Sequence, residues 1–558
     1  MRTARIFPIL LATGVASGCA DDLAGLRDRA AVPESYRRKV AVDQTGAKAR
    51  GAGTVIPAGA VSPPKPADVA ANLAQVGAVP LATSVVDSRS KTGSDSRTAT
   101  APSALTLDAV LNSVERHFPL LLSALQAREI AAGERLTAEG GFDLDWKGAV
   151  KAKPQGYYRN NRLDTVLEQP TPLWGTTVFS GYRWGQGDFP TYDEEQTDRG
   201  GEFRTGIKVP ILQNGLIDER RADLRRARIN QAVAEQTIDQ KRIAFIQKSS
   251  QAYWKWVAAG HKLDVARALL RIAQERDAGL AALVGKGAIP QMERTDNERL
   301  IVQRQAFVTA FQRALEQAAI DLSLYTRDEI GNPAIPDPAR LPAQFPEPIA
   351  PEANALQSDT DLALSIRPEV WELELQRRRT LVDLQVAENK LLPKTDVTLA
   401  GSQDYGQATP KMDKSQFEFE AKVEFELPLQ LREARGKVRS TRAKLAKILA
   451  DLKFARDRVA ADVQDAMSAL VAAHQRLGQA RESLALARKV EELERVNFNA
   501  GNSDLLRLNL REQQTADAAA TEIDAVAEYY RAMADYRAAL GVDAGRQSDE
   551  VQTARAGS

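Results

Sequence analysis

Two hydrophobic periods alternate along this chain. Over residues 417–427, FEFEAKVEFEL, every second side chain is apolar, so Phe417, Phe419, Val423, Phe425 and Leu427 share one face while Glu418, Glu420, Lys422, Glu424 and Glu426 share the other. That is the pattern of a half-buried strand. Phe142-Asp143-Leu144-Asp145-Trp146-Lys147 repeats it earlier in the chain. Residues 215–284 and 431–499 are instead amphipathic at helical spacing, each for about 70 residues; at roughly 1.5 Å per residue such a helix is on the order of 100 Å long, which predicts a coiled-coil rod. A glycine turn and a helix of about 38 residues follow each rod, and a helix of about 25 opening at Pro119 or Pro368 comes before each β segment. Stacked end to end, the two shorter helices nearly match the rod they flank, as in a hollow bundle closed by neighbouring subunits.

The same order of elements occurs twice. Residues 251–325 align on 465–539 without a gap: Val257-Ala258-Ala259 falls on Val471-Ala472-Ala473, Leu263 on Leu477, Gly287 on Gly501, Glu298 on Glu512 and Asp321 on Asp535. Upstream, Pro210 pairs with Pro428 and Pro119 with Pro368. A constant offset with a shared glycine marks an internal duplication. Repeat one is set at 102–335 with its β segment at 142–211, repeat two at 336–545 with its β segment at 395–428, and 546–558 is a tail.

The first 101 residues belong to neither repeat. Arg2 and Arg5, the apolar run 6–15 and the small residues Ala16-Ser17-Gly18 before Cys19 read as an export signal over 1–18. Small residues ahead of a lone cysteine resemble the bacterial lipobox, in which the thiol is acylated and becomes the new N-terminus, so Cys19 is the expected lipid anchor. Residues 19–101, rich in Ala, Pro, Ser, Gly and Thr without a period, are expected to be a flexible tether. No later stretch holds eighteen uncharged apolar residues, so a membrane-crossing part of the mature chain is expected to be a β-barrel.

Composition narrows the function classes. Lys and Arg number 75 against 74 Asp and Glu, which leaves no field to draw nucleic acid. His117, His261 and His474 lie far apart, and with Cys19 acylated nothing has metal-ligand spacing, so neither metal nor cofactor is expected. GLAALVGKG at 279–287 has one residue too many for a phosphate loop and no Ser or Thr after Lys286; it reads as a helix end with Gly285 or Gly287 in the left-handed cap and Pro290 in the next first turn. No nucleophile motif appears, and an enzyme is not expected. Eleven of the 32 aromatics fall within residues 142–203, among them Trp146, Trp174 and Trp184, and membrane barrels concentrate such rings at their interfaces. A soluble sandwich with one wet face would show the same alternation; the export signal and the absent helical span favour the barrel.

Four segments carry a family resemblance: LTLDAVLNSVERHFPLL opening repeat one, the strand-to-helix passages KVPILQNGLIDERRADLRRARIN and FELPLQLREARGKVRSTRAKLA, and FNAGNSDLLRLNLREQQTAD at the second turn. In this order, twice over, the layout resembles the TolC-type outer-membrane factor family. The resemblance implies a mainly α fold with a membrane β-barrel: a homotrimer, each subunit giving four strands to one outer-membrane barrel and its helices to a periplasmic tunnel. It further implies a periplasmic adaptor (membrane fusion) protein and an inner-membrane transporter as partners, in tripartite efflux or type I secretion. The chain departs from the family in its tether and in copy one, where 68 residues run from Phe142 to Val209 against 32 from Asp396 to Leu427, room for a long loop or additional strands.

The resemblance places the tunnel mouth at the turns holding Gly287, Pro290, Gly501 and Ser503. Six residues beyond each glycine, where family members often carry Asp, stand Glu293 and Arg507. In a trimer these would alternate around the aperture and pair across helices, with Asp504 competing for Arg507. The other function class consistent with the pattern is a lipid-anchored coiled-coil scaffold or adhesin without transport.

Overall fold

A computed structural model describes residues 103–190, 196–408 and 416–545. The export signal, Cys19, the tether and the tail at 546–558 lie outside the described residues. The chain divides into two units at Ala101/Pro102, and the described residues all lie in the second.

The duplication is visible in the element order. Copy one runs α1 (Leu107–His117), α2 (Pro119–Glu139), strands β1 (Asp145–Lys153), β2 (Asn160–Pro170), β3 (Thr177–Gly187) and β4 (Glu202–Pro210), then α3 (Glu219–Gly285) and α4 (Gln291–Ser323). Copy two runs α5 (Leu356–Ile366), α6 (Pro368–Asn389), β5 (Lys394–Asp404), β6 (Glu418–Glu426), α7 (Arg432–Asn499) and α8 (Leu505–Leu540). The rods α3 and α7, at 67 and 68 residues, match expectation. The shorter helices do not: α2 and α6 have 21 and 22 residues, α4 and α8 have 33 and 36. The missing length is supplied by α1 and α5, eleven residues each, which end at a helix break just before Pro119 and Pro368. A proline disfavours helical backbone in the residue before it; accordingly Phe118 and Arg367 are extended.

Side-chain pairs show how the helices are ordered. Along α3, Glu235 binds Arg128 of α2 at 2.6 Å, Arg242 lies 3.5 Å from Glu115 of α1, Lys255 binds Asp321 of α4 at 2.8 Å, and the Leu269 carbonyl accepts from Arg304 of α4 at 2.8 Å. The shorter helices thus stack along the rod, with Phe118 against Phe245 and Tyr325 where they meet. The other side of α3 meets copy two, through Arg226 with Asp383 of α6 (2.7 Å) and Lys262 with Asp524 of α8 (2.6 Å). Beyond them lies α7, through Arg442 with Glu388 of α6 (2.8 Å) and Arg476 with Glu528 of α8 (2.7 Å). The columns are therefore ordered α2/α4, α3, α6/α8, α7. The core follows this layering: Trp254, Trp256, Val257 and Leu263 of α3 pack with Leu315 and Leu322 of α4, and Leu470 and Leu477 of α7 with Val526 and Tyr529 of α8.

The six strands form one antiparallel sheet in sequence order, β1 to β6. Among the described residues copy one therefore supplies four strands and copy two supplies two, so the sheet holds six where the resemblance implied four per subunit. The long segment in copy one holds an added hairpin, β2–β3, between the strands that follow α2 and precede α3. Phe142 itself sits in a 3-10 turn, so regular alternation begins at Asp145. The copies join where β4 pairs β5, Ile207 opposite Leu399.

Candidate functional site

The sheet register divides its side chains cleanly. Residues directly opposite in an antiparallel pair point to the same face. Trp146 is opposite Leu167 and Val150 opposite Leu163; Leu163 is opposite Trp184; Tyr182 is opposite Phe203; Ile207 is opposite Leu399; and Val397 is opposite Val423. One face is thus apolar from edge to edge, and it is open: Trp146, Val150, Leu167, Phe203, Phe419 and Val423 are all exposed. The other face carries a ladder of ion pairs that crosses every strand. Lys147 binds Glu168; Asp164 meets Arg183 (3.4 Å) and Arg204 (3.2 Å); and Lys208 bridges Asp396 (3.1 Å) and Glu424 (3.6 Å). An exposed apolar face backed by a charged one suits a wall with hydrocarbon on one side and water on the other.

The two helical turns share one geometry. After α3, Gly287 has φ +67°, its N–H donates to the Val284 carbonyl (2.9 Å), and the Ala288 N–H donates to that of Leu283 (3.0 Å). After α7, Gly501 has φ +77°, its N–H donates to the Phe498 carbonyl (3.0 Å), and the Asn502 N–H to that of Asn497 (2.9 Å). Both are Schellman caps, which need a residue at positive φ and so favour glycine. Gly287 rather than Gly285 takes the left-handed position, and Pro290 sits at the N-cap of α4, one residue before the first turn. Ser503 donates its hydroxyl hydrogen bond to Glu494.

Within one protomer the charges expected at the aperture stand at the starts of two helices, α4 and α8. Asp504 caps α8, accepting from the Arg507 N–H at 2.8 Å, and also lies 3.6 Å from the Arg507 guanidinium. Glu293 stands in the first turn of α4, and among the described residues no ion pair joins it to Arg507. His261 is packed against Phe345, and burial pushes its imidazole pKa down; His474 lies near Tyr529.

One cluster escaped the sequence reading. Glu512 of α8 is 2% exposed and binds two guanidinium groups, Arg276 of α3 and Arg304 of α4, the latter at 3.0 Å and itself 1% exposed. The only signal was the alignment of Glu512 with Glu298, which gave no hint that one is buried while the other stays half exposed beside Arg294.

Comparison with known proteins agrees with this geometry. Residues 360–542 match the family model "Outer membrane efflux protein". No protein of curated function matches the sequence. Among solved structures, the CmeC outer membrane channel of Campylobacter jejuni is similar at 13% identity over 85% of this chain and 97% of that one, TM-score 0.55. The MtrE outer membrane channel of Neisseria gonorrhoeae, in its open state, has 15% identity over 78% and 88%, TM-score 0.55. The outer membrane protein VceC of Vibrio cholerae has 14% over 78% and 96%, TM-score 0.53. At these identities the likeness is one of fold, and it extends over both copies. With the family domain over residues 360–542 and the same fold through both copies, the chain is similar to the TolC-type outer membrane efflux proteins.

Proposed function

We propose that this protein is the outer-membrane duct of a tripartite efflux or type I secretion system, working as a homotrimer with a periplasmic adaptor and an inner-membrane transporter. The observation that carries the reading is where apolar surface is left uncovered. The exposed large hydrophobics of the helices concentrate on the two outer columns: Ile130 and Leu136 of α2, Val302 and Ile320 of α4, and Phe454, Leu486, Leu493 and Val496 of α7. The inner columns, α3 and α6/α8, expose only Leu283, Leu506 and Leu510, all close to the glycine turns. Inside the protomer, α3 is covered on both sides; its counterpart α7 is covered on one. A second copy placing its α2/α4 against α7 repeats the contact that α6/α8 makes with α3, and cyclic closure covers every free edge. The sheet edges β1 and β6, which otherwise present unpaired backbone, meet in the same closure.

A duct needs no catalytic centre: shape, a water-filled interior and a gate do the work, and the partner transporter supplies energy. Glu293 and Arg507 then alternate around the mouth formed by the two glycine turns, each drawn between its neighbour and, for Arg507, the local Asp504. Cys19 is read as the acylated anchor in outer-membrane lipid; Cys19→Ser abolishes incorporation of a palmitate analogue if so, and undiminished incorporation removes the anchor from the account. The test of the duct is conductance of the purified protein in a planar bilayer, together with its mass in detergent. Discrete channels from particles of trimer mass are expected. A stable non-conducting monomer with intact β signal defeats the reading in favour of a scaffold.

A further inference from the structure

Resting on the duct reading, we infer that the barrel is built from six strands per protomer, eighteen in the trimer, and closes where the basic edge strand β1 of one copy pairs with the acidic edge strand β6 of the next. The added hairpin is what makes this a different wall. Its strands β2 and β3 have 11 residues each, as long as β5 and longer than the 9 of β1, β4 and β6. At roughly 3.3 Å per residue and a tilt of about 40°, all six span on the order of 25 Å, the height of a membrane barrel's apolar band.

The hairpin also keeps both faces in phase with the rest. Leu163 and Leu167 of β2, with Val178, Tyr182 and Trp184 of β3, continue the apolar face. Arg162, Asp164 and Glu168, with Arg183, continue the charged one. A hairpin folded away as an external flap would have no reason to carry the ion-pair ladder from Lys147 through Glu168, Asp164 and Arg183 to Arg204. Nor would it be paired on both sides along its whole length, as β2 is with β1 and β3.

The free edges identify their own partner. The charged face of β1 carries Lys147, Lys151 and Lys153 with Asp145, whereas that of β6 carries Glu418, Glu420, Glu424 and Glu426 with Lys422. Every residue of both strands is exposed in the protomer. An even number of alternating strands makes β6 antiparallel to the neighbour's β1, so the second copy fits without a change of direction. Like charges directly across a pair are unfavourable and opposite ones favourable; a Lys-rich edge facing a Glu-rich edge therefore selects this seam over pairing of two β1 or two β6 edges. Barrel diameter grows about linearly with strand number, so eighteen strands give a wall about 1.5-fold wider than twelve.

Cysteine cross-linking tests the seam, with the parent chain, whose only cysteine is Cys19, as the blank. Glu420→Cys is combined in turn with Ala149→Cys, Lys151→Cys and Lys153→Cys, covering the registers that closure allows. Mild oxidation of conducting trimers is expected to give covalent trimers from at least one combination. Two arrangements would overturn the inference while leaving the duct intact. A link between Glu420→Cys and Arg183→Cys would put the seam at β3 and expel β1 and β2. A link between Lys151→Cys and Arg204→Cys would mean that β1 pairs β4 directly, with β2–β3 outside the wall. A conducting trimer with no β1–β6 link overturns it as well. A preparation that neither assembles nor conducts defeats the duct itself.

Discussion

Replacing Glu512 with Gln removes the carboxylate that two guanidinium groups share and keeps both cations. Arg304, 1% exposed, donates to Glu512 Oε2 at 3.0 Å and to the Leu269 carbonyl at 2.8 Å, and Arg276 binds the other carboxylate oxygen. Burial already pushes the Arg304 pKa down, and Glu512 is the main group pushing it back. Removing one partner of a buried pair costs about 3–5 kcal/mol because the remaining charge is left uncompensated. At about 1.4 kcal/mol per decade, local opening of α3, α4 and α8 around the cluster should rise by roughly 10²- to 10³-fold. Amide hydrogen exchange resolved to peptides covering 265–280, 300–310 and 508–516 reads this directly. Glu298→Gln is the control, since Glu298 holds the equivalent place in copy one but is 47% exposed, 3.4 Å from Arg294; an exposed pair is worth about 0–1 kcal/mol. Replacing all three members together, Arg276→Met, Arg304→Met and Glu512→Leu, should restore much of the protection, because a well-packed apolar substitute for a buried ion cluster is often neutral or stabilising. Equal exchange in Glu512→Gln and Glu298→Gln would refute the reasoning.

Asp239 gives a pH dependence of known sign: burial pushes its carboxyl up to about 6, against the pull of Arg242. The folded state then holds the proton more tightly than the unfolded one, so this group's contribution to stability falls as pH rises from about 4 to about 6 and is level above. Melting temperature against pH should lose that slope in Asp239→Asn, and a constant wild-type-to-variant difference from pH 4 to 7 would contradict it. Gly287→Ala and Gly501→Ala should each cost about 1–2 kcal/mol, since an added Cβ meets open space but the left-handed backbone is strained; protease nicking at the turns is the readout, and unchanged nicking would exclude the strain. Glu293→Arg should raise bilayer conductance by opening the mouth, with Arg507→Glu added on top restoring closure; equal conductance in the single and double variants would remove the pairing.

The sequence by itself determined the elements and their duplication. Both rods, the glycine turns and the alternating strands are local patterns: a stripe at helical spacing, a left-handed cap or an every-second-residue face is written within a few turns of chain and needs no partner to be read. Gly287 and Gly501 fell where the caps are, and the rods were right to within a few residues at their ends. What tertiary structure alone decided is what depends on neighbours distant in sequence. Trp146-Lys147 and the stretch from Asn160 to Gly187 showed aromatic density, but only the register of β1 against β2 and β2 against β3 reveals a hairpin in phase with the wall. The breaks before Pro119 and Pro368 were visible, yet the helices ahead of them became elements through packing on α3 and α7. Glu298 and Glu512 occupy matching places in the two copies, and nothing local separates them. Their opposite burial arises because α8 is packed against α3 of copy one, while α4 lies at an open edge of the protomer, an asymmetry that exists only once the columns have been laid side by side.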